Sequence, residues 1–186
     1  MRILLIDNFD SFTYNLVHYL EREDINIKVV RNNQLNELSW SDFDKVIISP
    51  GPGLPNEAGT LMVFLNEAWG KIPILGVCLG LQAIALYEGG CLYNLKEVKH
   101  GISTLLIKNT ESKLFKGLPD SFKIGLYHSW AATPKDVPNF NIVGTSQEGV
   151  LMAIEHKTLP IFGVQFHPES ILTEHGKEII ANFLAI

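Results

Sequence analysis

Basic residues and cysteines are scarce in this sequence, and each shortage argues against a class of protein. Lys and Arg number 15 against 20 Asp and Glu among 186 residues, which gives a formal net charge of −5. Nucleic-acid binding draws much of its affinity from neutralised phosphates, so this balance argues against a nucleic-acid partner. The two cysteines, Cys78 and Cys91, are too few for a disulfide framework.

Long apolar runs are also missing. The apolar start of the chain, residues 1–7, is shorter than a signal peptide requires. The longest apolar stretch, residues 72–87, contains Pro73 and Gly80 and falls short of the ~20 residues of a membrane-spanning helix. With 46% hydrophobic and 19% charged residues, the composition is that of a globular chain. We therefore expect a single cytoplasmic domain over residues 1–186, with no membrane partner.

The first half of the chain alternates between two hydrophobic periodicities. Short apolar runs predict strands at residues 3–6, 25–29, 46–48 and 72–77. Helical spacing predicts helices at residues 12–22, 60–69 and 79–88. The second half reads mainly as strands, at residues 102–107, 122–126, 141–145, 150–154 and 161–166, before a helix at 174–185.

This order of elements predicts an α/β fold. We expect a mostly parallel twisted sheet with helices on both faces, plus a small antiparallel β element from the second half. Ligands of such sheets bind at the carboxyl ends of the strands. The residues of interest therefore follow the predicted strands: Asp7, the segment 49–53, Cys78 and His167.

Glycines on both sides of Cys78 are the first sign of chemistry. The segment 76–80 reads Gly-Val-Cys-Leu-Gly between a predicted strand and a predicted helix, which is the setting of a nucleophile elbow. A helix N-terminus offers free N–H groups and a positive dipole end, and both favour a thiolate. We therefore predict that Cys78 is a nucleophile and that the N–H of Leu79 faces an oxyanion. Cys91 has no such setting.

A nucleophilic cysteine needs a general base, and His167 is the best placed of six histidines. It follows a predicted strand, and Pro168 favours extended backbone at the preceding residue. Because residues i and i+2 of an extended segment project to one side, His167 and Glu169 are expected to lie together. The carboxylate would then orient the imidazole. The sequence predicts solvated side chains for His18, His156 and His175.

Two features predict a substrate pocket beside Cys78. Gln82 follows Cys78 by one helical turn, where a primary amide can read an amide-bearing substrate. The segment 49–53, Ser-Pro-Gly-Pro-Gly, combines glycines that permit close backbone approach with prolines that limit motion. It lacks the Lys-Ser/Thr ending of a phosphate loop. Since no Cys/His spacing resembles a metal site, no metal is expected.

Together these motifs resemble the class I, triad-type glutamine amidotransferases over nearly the whole chain. The strongest marks are the segment 76–80 with Gln82, and Gln-Phe-His-Pro-Glu at 165–169. Three further segments resemble the glutaminase component of anthranilate synthase and, equally, the glutamine subunit of aminodeoxychorismate synthase. They are residues 6–16, residues 49–53 with 58–59, and residues 127–129.

The resemblance implies a mechanism. Cys78 would attack the side-chain amide of L-glutamine, His167 would transfer protons, and Glu169 would position His167. The γ-glutamyl thioester would then be hydrolysed to glutamate. The backbone N–H groups of Leu79 and Gly53 would form the oxyanion hole. The residues implied to hold glutamine are Gly51, Pro52, Gly53, Gln82, Ser129 and Trp130.

The resemblance also implies a partner. Ammonia would pass to a chorismate-binding synthase subunit that makes anthranilate for tryptophan biosynthesis. The alternative is p-aminobenzoate synthesis for folate, or service to both enzymes. Since 186 residues hold one domain, the synthase is expected as a separate chain, and the glutaminase is expected to be weak without it. No cofactor is expected in this chain, whereas Mg²⁺ is expected in the synthase subunit.

Four positions depart from the family pattern. Leu81 stands where His is common, Leu126 where Arg is common, and Ile102 where Lys is common. Trp130 stands where Leu or Met is frequent. None of these departures removes a triad member. Leu81, Leu126 and Ile102 leave the details of partner docking open, and Trp130 leaves the shape of the glutamine pocket open.

Two rival functions follow from the same residues. A non-enzymatic response-regulator-like domain would need a phosphoacceptor Asp after the third strand, where this chain has Ser49-Pro50-Gly51. A stand-alone cysteine hydrolase would share the elbow and the His–Glu pair, but the segment 7–16 resembles the chorismate-linked branch. Such a hydrolase would be fully active without a partner.

Overall fold

The computed structural model describes residues 1–21, 24–133 and 137–186, and across these residues nine strands form one continuous sheet. The strands are β1 (Arg2–Asp7), β2 (Asn26–Arg31), β3 (Lys45–Ile48), β4 (Ile74–Val77), β5 (Leu92–Lys108), β6 (Ser121–Ala132), β7 (Phe140–Ser146), β8 (Leu151–His156) and β9 (Ile161–Val164). Their order across the sheet is β2-β1-β3-β4-β9-β8-β7-β5-β6.

The strands β2, β1, β3, β4 and β9 run parallel to their neighbours. Every residue of β3, β4 and β9 is buried. A strand that is covered on both faces has a continuous apolar sequence, and for this reason β3, β4 and β9 were predicted from apolar runs. β9 is shorter than the predicted strand 161–166, so the last two of those residues continue beyond the parallel ladder.

The remaining strands, β8, β7, β5 and β6, are antiparallel and continue the same sheet. The antiparallel element is therefore part of the main sheet, and its β5 and β6 have 17 and 12 residues. β5 begins at Leu92, ten residues before the predicted strand 102–107. Its first half is largely exposed and shows no apolar alternation, so the sequence carried no signal for it.

Helices cover both faces of the sheet, as predicted. They are α1 (Thr13–Leu20), α2 (Leu61–Ala68), α3 (Leu79–Tyr87) and α4 (Gly176–Leu184). Buried residues of α1 and α4 share one apolar cluster, and buried residues of α2 and α3 share the other. The predicted helix 12–22 ends at Leu20, and Arg22 lies outside the described residues. Among the helices described, none has the length and apolarity to cross a membrane.

Two glycines let α3 start directly above the end of β4. A Cβ atom on Gly76 would lie 2.4 Å from the backbone carbonyl group of Gly80. A Cβ atom on Gly80 would lie 2.7 Å from the carbonyl oxygen of Ile48. Since backbone cannot yield as a flexible side chain does, both positions require glycine. The close approach fixes the turn that carries Cys78.

Candidate active site

Cys78 lies in a strained turn between β4 and α3. Its backbone has φ +52° and ψ −100°, a left-handed φ that is unusual for a residue with a side chain. Such strain costs on the order of 1–3 kcal/mol and is typical of functional sites. The N–H of Cys78 donates to the carbonyl oxygen of Val164 at 2.7 Å, which ties the end of β4 to the end of β9. The predicted strand–turn–helix geometry of a nucleophile elbow is present.

Leu79 is the first residue of α3. The first N–H groups of a helix have no intrahelical partner, so the N–H of Leu79 is available to an anion beside Cys78. Gly53, the second predicted oxyanion donor, lies in the opposing loop with φ +73°.

His167 and Glu169 form a buried pair, as predicted, although they lie in a turn closed by the Ser170 N–H on the His167 carbonyl oxygen and not in the expected extended segment. The Nδ1 atom of His167 lies 2.7 Å from Oε1 of Glu169. The two residues are only 2% and 3% exposed. Among the described residues, Nε2 of His167 and Oε2 of Glu169 make no further hydrogen bond. The carboxylate accepts the proton of Nδ1, and Nε2 is then the ring atom left for chemistry.

The charge of the His167 ring is set by two opposing effects. Burial favours the neutral ring and lowers its pKa. Cys78 and Glu169, which lie next to the ring, act in the opposite direction and raise the pKa of His167 to about 10. The pair of groups around the ring therefore favours an imidazolium at neutral pH, which is the partner a thiolate requires.

Two aromatic rings also pack against the His167 imidazole. The Tyr127 ring lies 4.9 Å from it and the Phe12 ring 5.6 Å, both edge-on. The Tyr127 hydroxyl lies 3.1 Å from Oγ of Ser170, which fixes the Tyr127 ring in turn. Sequence reasoning assigned no role to either aromatic side chain. They restrict the rotation of the imidazole, because edge-to-face contacts have defined geometry.

A cleft of about 360 Å³ opens beside the Cys78 thiol. Its walls contain all six residues that the sequence predicted for glutamine binding. Tyr127 and His128, which the sequence did not assign, also belong to them. The full set is Gly51, Pro52, Gly53, Cys78, Gln82, Tyr127, His128, Ser129 and Trp130.

The loop 49–53 is held in place by Asn8, just after β1. The N–H of Asn8 donates to Oγ of Ser49 at 2.9 Å, and its Nδ2 donates to the Ser49 carbonyl oxygen at 2.8 Å. Asn32 donates to Oδ1 of Asn8 at 3.0 Å. A Cβ atom on Gly51 would lie 2.5 Å from Cβ of Asn8, so glycine is needed there. The Asn8 contact gives part of the opening segment 6–16 a structural role as the support of the cleft wall.

Gln82 uses its amide hydrogens within the protein. Its Nε2 donates to the Trp130 carbonyl oxygen at 2.9 Å and to Oε1 of Gln165 at 3.3 Å. Nε2 of Gln82 is therefore occupied by hydrogen bonds within the protein, and Oε1 is the atom of this amide that can bind a ligand. By holding the Trp130 backbone, Gln82 also fixes the wall contributed by β6.

His128 is a buried, neutral imidazole in the cleft wall. Its Nδ1 lies 2.8 Å from the Trp130 carbonyl oxygen, which can only accept, so Nδ1 carries the proton. Burial lowers the pKa of His128, and charge on His167 and Lys99 lowers it further. Its Nε2 has no hydrogen-bond partner within the described chain. The sequence left its role open.

The departures from the family pattern fall into two groups. Leu81 and Leu126 are buried, at 0% and 3% exposure, and belong to the two apolar clusters. Since these two side chains lie in the core, they are not accessible to a partner. Ile102 is 41% exposed, and Trp130 lines the cleft as expected.

The exposure predicted for His18, His156 and His175 is only partly confirmed. His18 is exposed and lies 3.2 Å from Glu21. His156 and His175 are half-buried, so the expectation of solvated side chains is wrong for both. The His156 ring packs edge-on against Phe140 and accepts the N–H of Leu159 at 3.0 Å. In the described part of the chain, no group of three or more His, Cys, Asp or Glu residues could hold a metal.

This fold and this arrangement of side chains are those of an α/β enzyme. The family model of the class-I glutamine amidotransferases matches residues 4–186, and the chain belongs to that family. The enzyme is therefore a glutamine amidotransferase.

Relatives with assigned names align along almost the whole chain. The aminodeoxychorismate/anthranilate synthase component 2 of Bacillus subtilis is 44% identical over 98% of this chain and 95% of its own length. Anthranilate synthase component 2 of Mycobacterium tuberculosis is 44% identical over 99% and 82%. A solved structure from Thermoplasma acidophilum, described as one of the subunits of GMP synthase, superposes with a TM-score of 0.86 at 26% identity. It covers 100% of this chain and 92% of that one.

Proposed function

We propose that this chain is the glutaminase subunit of anthranilate synthase and that it hydrolyses L-glutamine through a thioester on Cys78. The observation that carries the proposal is the strained Cys78 turn, which lines the cleft and lies beside the buried His167–Glu169 pair. A nucleophile, a proton carrier and an orienting carboxylate are the three parts of a triad. The 360 Å³ cleft is of a size suited to a single amino acid.

The reaction follows from these positions. The Cys78 thiolate attacks the amide carbon of the glutamine side chain, and the carbonyl oxygen becomes an oxyanion. The N–H groups of Leu79 and Gly53 stabilise that oxyanion, and each such donor is worth about 2.7–4 kcal/mol in the transition state. Nε2 of His167 gives its proton to the departing amide nitrogen, which leaves as ammonia. His167 then takes a proton from water, which hydrolyses the thioester to glutamate and restores Cys78.

The groups around the cleft support an amino acid as the substrate. The backbone of Gly51 and Pro52 forms one wall, and the backbone of Ser129 and Trp130 forms the other. Backbone N–H and C=O groups can bind the α-carboxylate and the α-ammonium of glutamine. The free Oε1 of Gln82 adds an acceptor between these walls.

The ammonia is used by a separate synthase subunit that binds chorismate. Relatives named as components of synthases, at 44% identity over 95% and 82% of their own lengths, support such a partner. The name of the Bacillus subtilis relative covers both aminodeoxychorismate and anthranilate synthases. That name favours a second candidate, a subunit of aminodeoxychorismate synthase or one that serves both enzymes.

Reconstitution distinguishes the two candidates. The chain is mixed with each chorismate-using subunit from the same source, together with chorismate, Mg²⁺ and glutamine, and the aminated product is identified. We expect anthranilate. Aminodeoxychorismate as the sole product would move the assignment to folate synthesis, and both products would mean a shared subunit. Full glutamine hydrolysis by the chain alone, with neither product, would support a stand-alone hydrolase.

A further inference from the structure

Gln165 is a buried amide in contact with the nucleophile, and the proposed reaction leaves it without a role. It directly follows β9 and has 0% exposure. Its N–H donates to the Met152 carbonyl oxygen at 2.8 Å, which anchors its backbone to β8. Its side chain lies between Gln82 and Cys78. Oε1 accepts from Gln82 at 3.3 Å, and Nε2 lies 3.5 Å from Sγ of Cys78.

The orientation of this amide is fixed by a chain of hydrogen bonds. The Trp130 carbonyl oxygen can only accept, so the end of Gln82 that faces it at 2.9 Å must be Nε2. The second hydrogen of that nitrogen requires an acceptor, which is Oε1 of Gln165. The other end of the Gln165 amide must then be its nitrogen. The sulfur of Cys78 therefore faces a donor.

We propose that Gln165 is a positioning residue that holds the Cys78 sulfur as a thiolate directed at the substrate cleft. The inference rests on the proposed nucleophilic role of Cys78. A hydrogen bond to an ionised acceptor is about twice as strong as one to a neutral acceptor, so the N–H of Gln165 favours the thiolate over the thiol. In the thioester the sulfur carries no charge, and the contact weakens. Gln165 therefore acts before acylation.

The expected change in Cys78 alkylation decides whether its pH midpoint or its rate should be measured. Loss of one such hydrogen bond is expected to raise the pH midpoint of Cys78 alkylation by about one unit, a factor of ten in thiolate fraction. A more basic thiolate is also a better nucleophile. With a Brønsted slope of about 0.4–0.5, its higher reactivity offsets about threefold of the tenfold loss in thiolate fraction. At pH values below both midpoints, the alkylation rate thus falls only about threefold. The midpoint reports the role of Gln165 more clearly than the rate.

The test uses a Cys91→Ser parent, so that iodoacetamide reports on Cys78 alone, in the complex with the synthase subunit. Gln165→Met removes the donor at similar volume, and we expect the alkylation midpoint to rise by about one unit. Gln165→Glu places a carboxylate oxygen against the sulfur, and we expect a larger rise. The matched control is Gln147→Met at an exposed position, which should leave the midpoint unchanged.

The other titratable groups near the sulfur stay constant in this series. These groups are His167 and its partner Glu169, which follow β9 in the chain, and His128 on β6. An unmoved midpoint in both folded Gln165 variants would overturn the inference. If the parent complex also makes product from glutamine, the proposed function survives that result. A parent that hydrolyses no glutamine would instead count against the proposed function.

A second measurement needs no substitution at Gln165, which matters because a buried variant can fail to fold. The side-chain N–H signals of Gln165 are followed by NMR in the Cys91→Ser parent, assigned through their contact with the Gln82 amide. We expect them to move with pH at the same midpoint as Cys78 alkylation, and to lose that transition in Cys78→Ala. Signals that ignore the state of Cys78 would contradict the inference.

Discussion

The parallel and antiparallel halves of the sheet contribute to the site in different ways. In the parallel half, β3, β4 and β9 are completely buried, and the chain leaves β4 at Cys78 and β9 shortly before His167. In the antiparallel half, β6 contributes the wall formed by residues 127–130, and the first half of β5 beside it is largely exposed. The parallel half positions the proposed reacting groups, and the antiparallel half shapes the space in front of them.

The reason lies in the strand order. β4 and β9 are neighbours in the sheet although more than 80 residues separate them in the chain. The hydrogen bond from Cys78 to Val164 joins their carboxyl ends, so the proposed nucleophile and the proposed base are held by two adjacent, hydrogen-bonded strands. A pair so supported keeps its geometry without a ligand, which lowers the cost of reaching the transition state.

Removal of the nucleophile should have the largest effect. We expect Cys78→Ser to lower glutamine-dependent product formation by the complex by about 10⁴-fold or more, since triad members fail as a unit. Product formation from added ammonia should be unchanged, because the synthase subunit does that chemistry. The matched control is Cys91→Ser, at the exposed cysteine, which should keep full activity. Loss of the ammonia-dependent rate would mean that the substitution damages folding or assembly.

The His167–Glu169 pair should show the next largest effect, and an unequal one. We expect His167→Ala to lower kcat about 10³–10⁴-fold, because it removes the proton carrier. Glu169→Gln keeps the imidazole and its aromatic contacts, so its loss of kcat should be at least about tenfold smaller. Steady-state glutaminase kinetics of the complex measure both. Equal losses of kcat would show that orientation by the carboxylate matters as much as the proton.

Paired glycine substitutions compare the two halves directly. Gly76→Ala forces a Cβ atom into backbone on the parallel side, and we expect a loss of about 3 kcal/mol in the free energy of unfolding. Gly149→Ala, in the turn before β8, meets no atom within 4 Å but has φ +79°, so about 1 kcal/mol is expected. Urea unfolding of both variants measures the difference. Similar losses would contradict the claim that the close backbone contact at Gly76 requires glycine.

The pH dependence of stability should be a gradual effect, spread over several pH units. The pKa of His167 rises from 6.5 to about 10 on folding, so its stabilisation is fully present below about pH 6.5. As the pH rises from there toward 10, the unfolded chain has lost the proton and the folded chain still holds it. Stability should therefore fall by up to about 1.4 kcal/mol per pH unit. Urea unfolding at a series of pH values measures the slope, and a His167→Gln variant without a shallower slope would contradict the assignment.

The sequence was sufficient for the parts of the site that depend on local pattern. The apolar runs of β3 and β4 and the glycines around Cys78 predicted a strand, a sharp turn and a helix. The i, i+2 spacing predicted the contact of His167 with Glu169. Each of these signals lies within about ten residues of chain, where periodicity and sterics act directly.

Contacts between distant segments were not predictable in the same way. Gln165 contacts Cys78 and Gln82 only because β9 lies beside β4. The sequence of neither strand indicates which strand it pairs with. The support of the loop 49–53 by Asn8 depends on β1 and β3 being neighbours. The first half of β5 lacks any buried face, so its composition resembles a loop.

The most direct test of the account is to trap the reaction on the protein. The complex is mixed with glutamine, quenched in acid at early times, and its peptides are examined by mass spectrometry. We predict one γ-glutamyl group on the peptide that contains Cys78, formed and lost at rates compatible with turnover, and none in Cys78→Ser. Glutamate released by the Cys78→Ser complex at the wild-type rate, or a glutamyl group on another residue, would contradict the assignment of the nucleophile.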